Sequence, residues 1–365
     1  MTSKLIFPGL IDPHVHLRDL GQDHKEDFYT GTCAALAGGF TTILDMPNNQ
    51  APITTLKRLK EKIKIAKKKI VCDVGFYFGS LGDNLKEFKK AQSMLYGLKL
   101  YLNETTGNLL IDTKMLKAIF LAWNNAQSLL LHSSELSAKP ILLHSEYDTV
   151  SYVLKLVRKI NAKVHFCHIS TTEDLKQIIK AKQENLPVTC GVTPHHLFLT
   201  NKDVKRLGTY GKMKPPLGNR KDQDFLWKNL KYIDVIESDH APHTTEEKMK
   251  KVFPFGVPGL ETTLPLLLTA VSEKRLTIDD IVRLCHTNPA KIFNIKTNPK
   301  TKIEIDPNSK FLILNSKLFT KCGWSPFAGM KVRGKVERVF IRGKRVFENG
   351  KILVKPGSGK VIFPR

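Results

Sequence analysis

Along the chain, short runs of β-branched and aliphatic residues alternate with longer stretches whose apolar positions return every three or four residues. Eight such runs occur: "LIDPHVHL", "TTILDMP", "VCDVGFYF", "GLKLYLN", "ILLHSE", "VHFCHIS", "VTCGVTP" and "VIESDHAP". The stretches between them have helical periodicity, among them "EDFYTGTCAALAGG", "DTKMLKAIFLAWNNA", "TVSYVLKLVRKI" and "TTEDLKQIIKAKQEN". This alternation predicts βα units around a parallel sheet, and eight units predict a closed α/β barrel of the (β/α)8 TIM type. After two more helical stretches, "GLETTLPLLLTAVSEKRL" and "IDDIVRLCHTNPAKIF", the rhythm changes near Asn294, and from Ile303 the chain reads as short strands and turns. The expected organisation is a barrel over residues 8–300 with a small β-rich appendage, formed by 301–365 together with 1–7.

Side chains at the carboxyl ends of barrel strands converge on one mouth, where the sites of this architecture lie. Those ends carry His14 and His16 in the first run, Lys99 in the fourth, His144 in the fifth, His168 in the sixth and Asp239 in the eighth. Four imidazoles and a carboxylate are donors suited to Zn2+, with the lysine as the odd member. In "GLIDPHVHLRD", a strand running on to Arg18 puts His14, His16 and Arg18 on one face; a hairpin with its polar side in water fits the same spacing. Other histidines read differently. His165 lies three residues before His168 and falls on the opposite strand face, against a helix. His132 precedes the Pro140 that starts the fifth strand and reads as a loop residue. His195 and His196 close the seventh run, where lining the mouth and making a structural hydrogen bond are equally open.

Composition narrows the class. The 365 residues are 41% hydrophobic, with a mean hydropathy of -0.21, and no apolar run approaches the ~18 residues needed to span a bilayer. Six scattered cysteines with no C-x-x-C pair, and no signal-like N-terminal segment, lead to the expectation of a reducing, cytoplasmic setting. The net charge of +24 invites a nucleic-acid reading, but much of the excess lies in "TLKRLKEKIKIAKKKI". There Leu56, Leu59, Ile63, Ala66 and Ile70 recur at helical spacing and lysines fill the remaining, solvated faces. No zinc finger, aromatic stacking motif or arginine-rich arm accompanies it, so neither nucleic acid nor membrane is expected as a partner. A positive field would still speed the approach of an anionic small molecule.

Together "GLIDPHVHLRDLGQDHKEDF", "MPNN", "GLKLYLNET", "VTPHHLFLT", "ESDHAPHTTEEK" and "PGLETTLPLLLTAV" resemble the dihydroorotases of the amidohydrolase superfamily. The likeness is closest to the dihydroorotase domain of the multifunctional pyrimidine-synthesis polypeptides, and it covers essentially the whole chain. It implies reversible interconversion of dihydroorotate and N-carbamoyl-L-aspartate by water activated between two zinc ions. By the same resemblance Lys99 is carbamylated by CO2 and bridges the two metals, one held by His14, His16 and Asp239 and the other by His144 and His168. Asp239 is then the general acid and base. Arg18, Asn48 and His243 match residues that hold the substrate carboxylate, and backbone groups near Phe255 and Gly256 match those that meet the pyrimidine edge. The loop "NETTGNLLID", with Thr105 and Thr106, is expected to close over the site or to be plain surface. A homodimer and association with an aspartate transcarbamoylase are further expectations of the resemblance.

Two positions depart from the pattern. Lys214 in "KMKPPLG" stands where many bacterial relatives have Asn and the multifunctional domain has Arg; it keeps the charge but not a bidentate grip. Gly191 in "VTCGVTPHH" stands where the multifunctional domain has a Glu that helps hold an additional zinc with a neighbouring cysteine; Cys167 is present but that carboxylate is gone, so two zinc ions per chain rather than three are expected. Competing readings are a cyclic amidohydrolase of the hydantoinase, dihydropyrimidinase or allantoinase kind, which has no need of the Arg18, Asn48 and Lys214 set, and an inactive scaffold. The six intact metal-centre positions weigh against the scaffold.

Overall fold

The computed structural model describes residues 4–128 and 138–364, so His132 lies outside the described residues. Leu5–Pro8 (β1) belongs to the appendage, and the first barrel strand is Leu10–Val15 (β2). Phe40–Asp45 (β3), Asp73–Phe76 (β4), Phe78–Gly79 (β5), Leu98–Tyr101 (β6), Ile141–His144 (β7), Val164–Phe166 (β8), Val188–Val192 (β9) and Val235–Ile236 (β10) follow. All pair in parallel, β2 through β4 in one arc and β5 through β10 in the other. A parallel bridge between Val15 and His240 joins the arcs at one seam, where His16 N–H donates to the His240 carbonyl at 2.8 Å. The eight runs therefore close into a (β/α)8 barrel. Helices cover its outside, which explains why strands such as "ILLH" are buried on both faces.

The third run breaks at Tyr77: its first half pairs back to β3 and its second half forward to β6. The free edge of β4 takes the chain's last segment, with Val74 N–H donating to the Lys360 carbonyl and Ile362 N–H to the Val74 carbonyl, both at 2.9 Å. The barrel lumen is packed with Ile11, Leu44, Tyr77, Leu142, Cys167 and Val235, and Phe293 and Ile295 belong to the same cluster. His165 belongs to this interior as well. Its ring packs 5.4 Å from that of Phe293 and its Nε2 lies 3.7 Å from Glu237, so it does not face a covering helix. The expected alternation fails because β8 ends at Phe166 and His168 adopts a left-handed φ of 40°.

Lys302–Leu312 (β11), Lys331–Ile341 (β12), Lys344–Glu348 (β13) and Lys351–Ile352 (β14) form an antiparallel sheet with β1 at its edge, in the order β1-β11-β12-β13-β14. Ile303, Ile305, Val336 and Val339 of this sheet join the same core as the barrel helices. The lysine-rich helix Leu56–Lys69 buries Leu59, Ile63 and Ala66 as its periodicity predicts. One of its lysines departs from the solvated reading. Lys62 is fully buried, its Nζ 2.7 Å from Asp45 Oδ2 and donating to the Met46 carbonyl and Asn49 Oδ1.

Candidate active site

The end of β2 sets the site. The strand stops at Val15, and the chain then turns through Arg18 at φ 61° and Leu20 at φ 72°. Asp45, braced by Lys62, accepts the Leu17 N–H at 2.9 Å and holds this turn. His14, His16 and Arg18 do reach one cavity, but a left-handed turn rather than strand alternation aims the guanidinium there. His168 and Asp239, at φ 40° and 44°, share this backbone class, which non-glycine residues adopt at a cost of order 1–3 kcal/mol.

The donor atoms converge. His14 Nε2 and His16 Nε2 lie 3.3 and 3.1 Å from the same oxygen, Asp239 Oδ1. His144 Nδ1 is 3.1 Å from His168 Nε2, and the His14 and His168 rings are 5.1 Å apart, which brings the two groups together. Lys99 is fully buried, its Nζ 3.2 Å from Cys167 Sγ and 5.0 Å from the centre of the Tyr101 ring. Burial, reinforced by the Lys99 charge, lowers the His14 pKa to about 4. Burial likewise pushes His16 and His168 well below their ordinary value and lowers His144. All four imidazoles are therefore neutral near pH 7, each with one lone pair to offer. Burial raises the Asp239 pKa, with His14 and Lys99 opposing it. Several neutral nitrogens and a carboxylate oxygen aimed at one another suit a transition-metal cation, and His14, His16 and Asp239 place their donor atoms within 4.8 Å of one another.

A small cavity of about 20 Å³ adjoins these groups, lined also by Arg18, Asn48, Thr105, Thr106, Lys214, Phe255 and Gly256. Larger hollows of about 530 and 660 Å³ lie elsewhere and contain no histidine. Space of 20 Å³ holds roughly one water, so the segment over the mouth must move to admit a ring. That segment is pinned: the Phe255 N–H donates to Thr106 Oγ1 at 2.9 Å, and the Thr106 hydroxyl donates to the Phe255 carbonyl at 3.0 Å. The Phe255 backbone groups assigned to substrate are thus engaged by the loop. Asn48 Oδ1 lies 2.6 Å from His16 Nδ1, and its Nδ2 donates to the Thr106 carbonyl at 3.3 Å. His243 does not line the cavity. It stands behind Arg18, with Nε2 3.2 Å from the guanidinium and 3.0 Å from the Phe255 carbonyl. Lys214 Nζ lies 5.2 Å over the Phe255 ring, and a side chain at Gly256 would meet the Ala241 carbonyl at 2.6 Å.

His196 is structural, its Nδ1 2.8 Å from Thr193 Oγ1 and its Nε2 3.1 Å from the Pro215 carbonyl; His195 is buried beside it and does not line the cavity. Sequence reasoning missed Tyr101, which lines the cavity with its buried hydroxyl unpartnered among the described residues, and Glu237. Each stands two residues from a singled-out position, Lys99 and Asp239, and that spacing was the available signal. Glu237 also corrects the reading of Gly191. The space beside Cys167 does hold a carboxylate, supplied from β10, and His14, Cys167 and Glu237 form a second donor set within 4.8 Å.

Residues 5–346 match the amidohydrolase family model. The chain is 42% identical over 99% of its length to the multifunctional protein CAD of Squalus acanthias, of which it spans 16%. It is 37% identical over 99% of its length to a dihydroorotase of Pyrococcus abyssi, covering 88% of that protein. Among solved structures, an L-hydantoinase from Arthrobacter aurescens superposes with a TM-score of 0.91 at 26% identity, over 99% of this chain and 89% of that one. The inactive dihydroorotase-like domain of a Chaetomium thermophilum CAD-like protein superposes with a TM-score of 0.82 at 27% identity, over 99% of both chains. With its barrel, its converging imidazoles and a match over nearly all its length, the chain belongs to the amidohydrolase family.

Proposed function

We propose that the chain is a zinc-dependent dihydroorotase that interconverts dihydroorotate and N-carbamoyl-L-aspartate in pyrimidine synthesis. The observation that carries the substrate choice is Arg18. Arg18 is 4% exposed and lines the cavity, and among the described residues no carboxylate lies within ion-pair distance of its guanidinium. A buried cation without an anion is costly, and a planar guanidinium matches a carboxylate in two parallel hydrogen bonds. A hydantoinase-type substrate without a carboxylate leaves that charge unanswered. The 37% identity to a dihydroorotase over 99% of the chain supports the same choice.

His14, His16 and Asp239 would hold one zinc and His144 and His168 a second, with a carbamate on Lys99 between them. When bound, the metals supply a water acidic enough to ionise near neutral pH and polarise the ring amide carbonyl. Asp239 accepts the proton of the attacking water and returns it to the ring nitrogen as the amide bond breaks. Arg18, backed by His243, grips the carboxylate with Lys214 at the cavity wall, and Asn48 holds His16 in the tautomer whose Nε2 is free. Thr105 and Thr106 act from the loop, and Phe255 and Gly256 meet the ring once the loop has moved. The likeness to a multifunctional protein supports association with other enzymes of the pathway, an aspartate transcarbamoylase among them. No described helix is long and apolar enough to cross a membrane.

The deciding experiment compares hydrolysis of dihydroorotate, dihydrouracil and hydantoin by the zinc-loaded protein. Dihydroorotate should be favoured by at least ~10³ in kcat/KM. Comparable efficiencies would remove the dihydroorotase reading and leave a cyclic amidohydrolase.

A further inference from the structure

A second carboxylate, Glu237, lies beneath His14 and takes no part in the steps above. It is fully buried at the end of β10, two residues before Asp239. Its Oε1 accepts the backbone N–H of His168 at 2.5 Å, and its Oε2 lies 3.3 Å from His14 Nδ1. That contact is close but not aligned as a hydrogen bond, since neither atom has one among the described residues, and His165 Nε2 approaches the same Glu237 oxygen to 3.7 Å. The opposite ring nitrogen of His14, Nε2, faces Asp239. The carboxylate fills space that a side chain at position 191 would also need. Gly191 sits opposite Val235 in the pairing of β9 with β10, and a Cβ built on it would lie 2.4 Å from Glu237 Oε1. A side chain at 191 and the one at 237 thus compete for a single volume.

We propose that Glu237 is a positioning residue: it takes the Nδ1–H of His14, which fixes the ring so that the Nε2 lone pair faces the metal, and it ties this half of the site to the His168 half through the backbone N–H. The inference rests on the metal centre proposed above. A carboxylate behind a metal-binding imidazole sets the ring's tautomer and orientation, and its loss typically costs 10–100-fold in metal affinity. The same three side chains, His14, Cys167 and Glu237, could instead be read as a third cation site. The 3.3 Å contact with His14 and the argument from donor number favour the positioning role. One Glu237 oxygen is already committed to His168, and three donors fall short of the four that a structural zinc takes.

The test measures zinc affinity by chelator competition, the visible spectrum of the cobalt-substituted protein, and turnover. It uses the unsubstituted chain, Glu237→Gln, and the double exchange Gly191→Glu with Glu237→Ala, which returns a carboxylate to the same volume from β9. Glu237→Gln should weaken one of two zinc sites by about 10–100-fold, shift the cobalt bands and lower kcat with KM little changed. The double exchange should recover most of that affinity. If Glu237→Gln does not fold, the double exchange decides: a folded chain with near-normal affinity supports the inference and a folded chain with weak zinc overturns it. Equal affinity in Glu237→Gln and the unsubstituted chain overturns this inference alone, as does a third tightly held zinc that Glu237→Gln and Cys167→Ala each remove. Absence of tight zinc from the unsubstituted chain overturns the metal centre and this inference with it.

Discussion

The amide oxygen of Asn48 lies 2.6 Å from Nδ1 of His16, while Nε2 of the same ring lies 3.1 Å from Asp239. The asparagine thereby selects a tautomer. With the proton held on Nδ1, the Nε2 lone pair is available beside the carboxylate. Asn48→Ala should therefore cost about 10-fold or more in zinc affinity, measured by chelator competition, without unfolding the barrel. Unchanged affinity would show that His16 needs no such restraint.

Arg18→Ala should lower kcat/KM for dihydroorotate by roughly 10²- to 10³-fold, because two charge-assisted hydrogen bonds to the substrate carboxylate are lost. Dihydrouracil, which has no such group, should be far less affected, so the gap between the two substrates narrows. Parallel losses on both would assign the guanidinium to holding the turn at φ 61° rather than to binding.

Lys99 is fully buried at the end of β6, its Nζ beside Cys167 and Tyr101, and with the metal-holding role proposed for it Lys99→Ala should deplete bound metal and reduce turnover by several orders of magnitude. Metal analysis by plasma emission and an assay with added short carboxylic acids would report on the two effects separately. Full activity with two metals retained would refute a bridging role.

The hydroxyl of Thr106 satisfies both backbone groups of Phe255 and so holds the loop over the mouth. Thr106→Val removes two hydrogen bonds worth about 1 kcal/mol each, so the loop should open about 10-fold or more readily. Hydrogen exchange at the Phe255 amide reads this directly and should quicken by that factor, while amides of the barrel strands stay as slow as before.

Glu261, in the helix Leu260–Ser272, accepts the N–H groups of Phe319 and Thr320 at 2.8 and 3.0 Å, and burial raises its pKa from 4.5 to about 8. The folded state therefore holds this proton where the unfolded chain releases it. Its contribution is complete below about pH 4.5 and is lost as the pH rises toward 8. Glu261→Gln cannot titrate. Urea midpoints followed from pH 5 to 8 should shift in favour of the variant, by up to about 1.4 kcal/mol per pH unit. Parallel curves would show the carboxyl to be ionised in the folded protein.

Local pattern alone determined the barrel and the residue types at its mouth. Burial on both faces makes parallel strands largely apolar runs, and the polar residues toward the carboxyl ends of such runs, His14, His144, His168 and Asp239 among them, mark the end where strands converge. Whatever depended on a break in that pattern was decided by the tertiary structure. Arg18 reaches the cavity through a left-handed turn held by Asp45 and Lys62, His165 turns inward where β8 ends, and the chain's last residues pair with Val74 because β4 leaves an open edge. The spacing of Glu237 from Asp239 hinted at an inward side chain, but its contact with His14 could not be read locally, because the space it fills is left by Gly191 on the next strand. Periodicity records how each residue meets its own neighbours along the chain; His16 meets Asp239 across 223 positions, and only the closed ring of strands brings such residues within hydrogen-bonding distance.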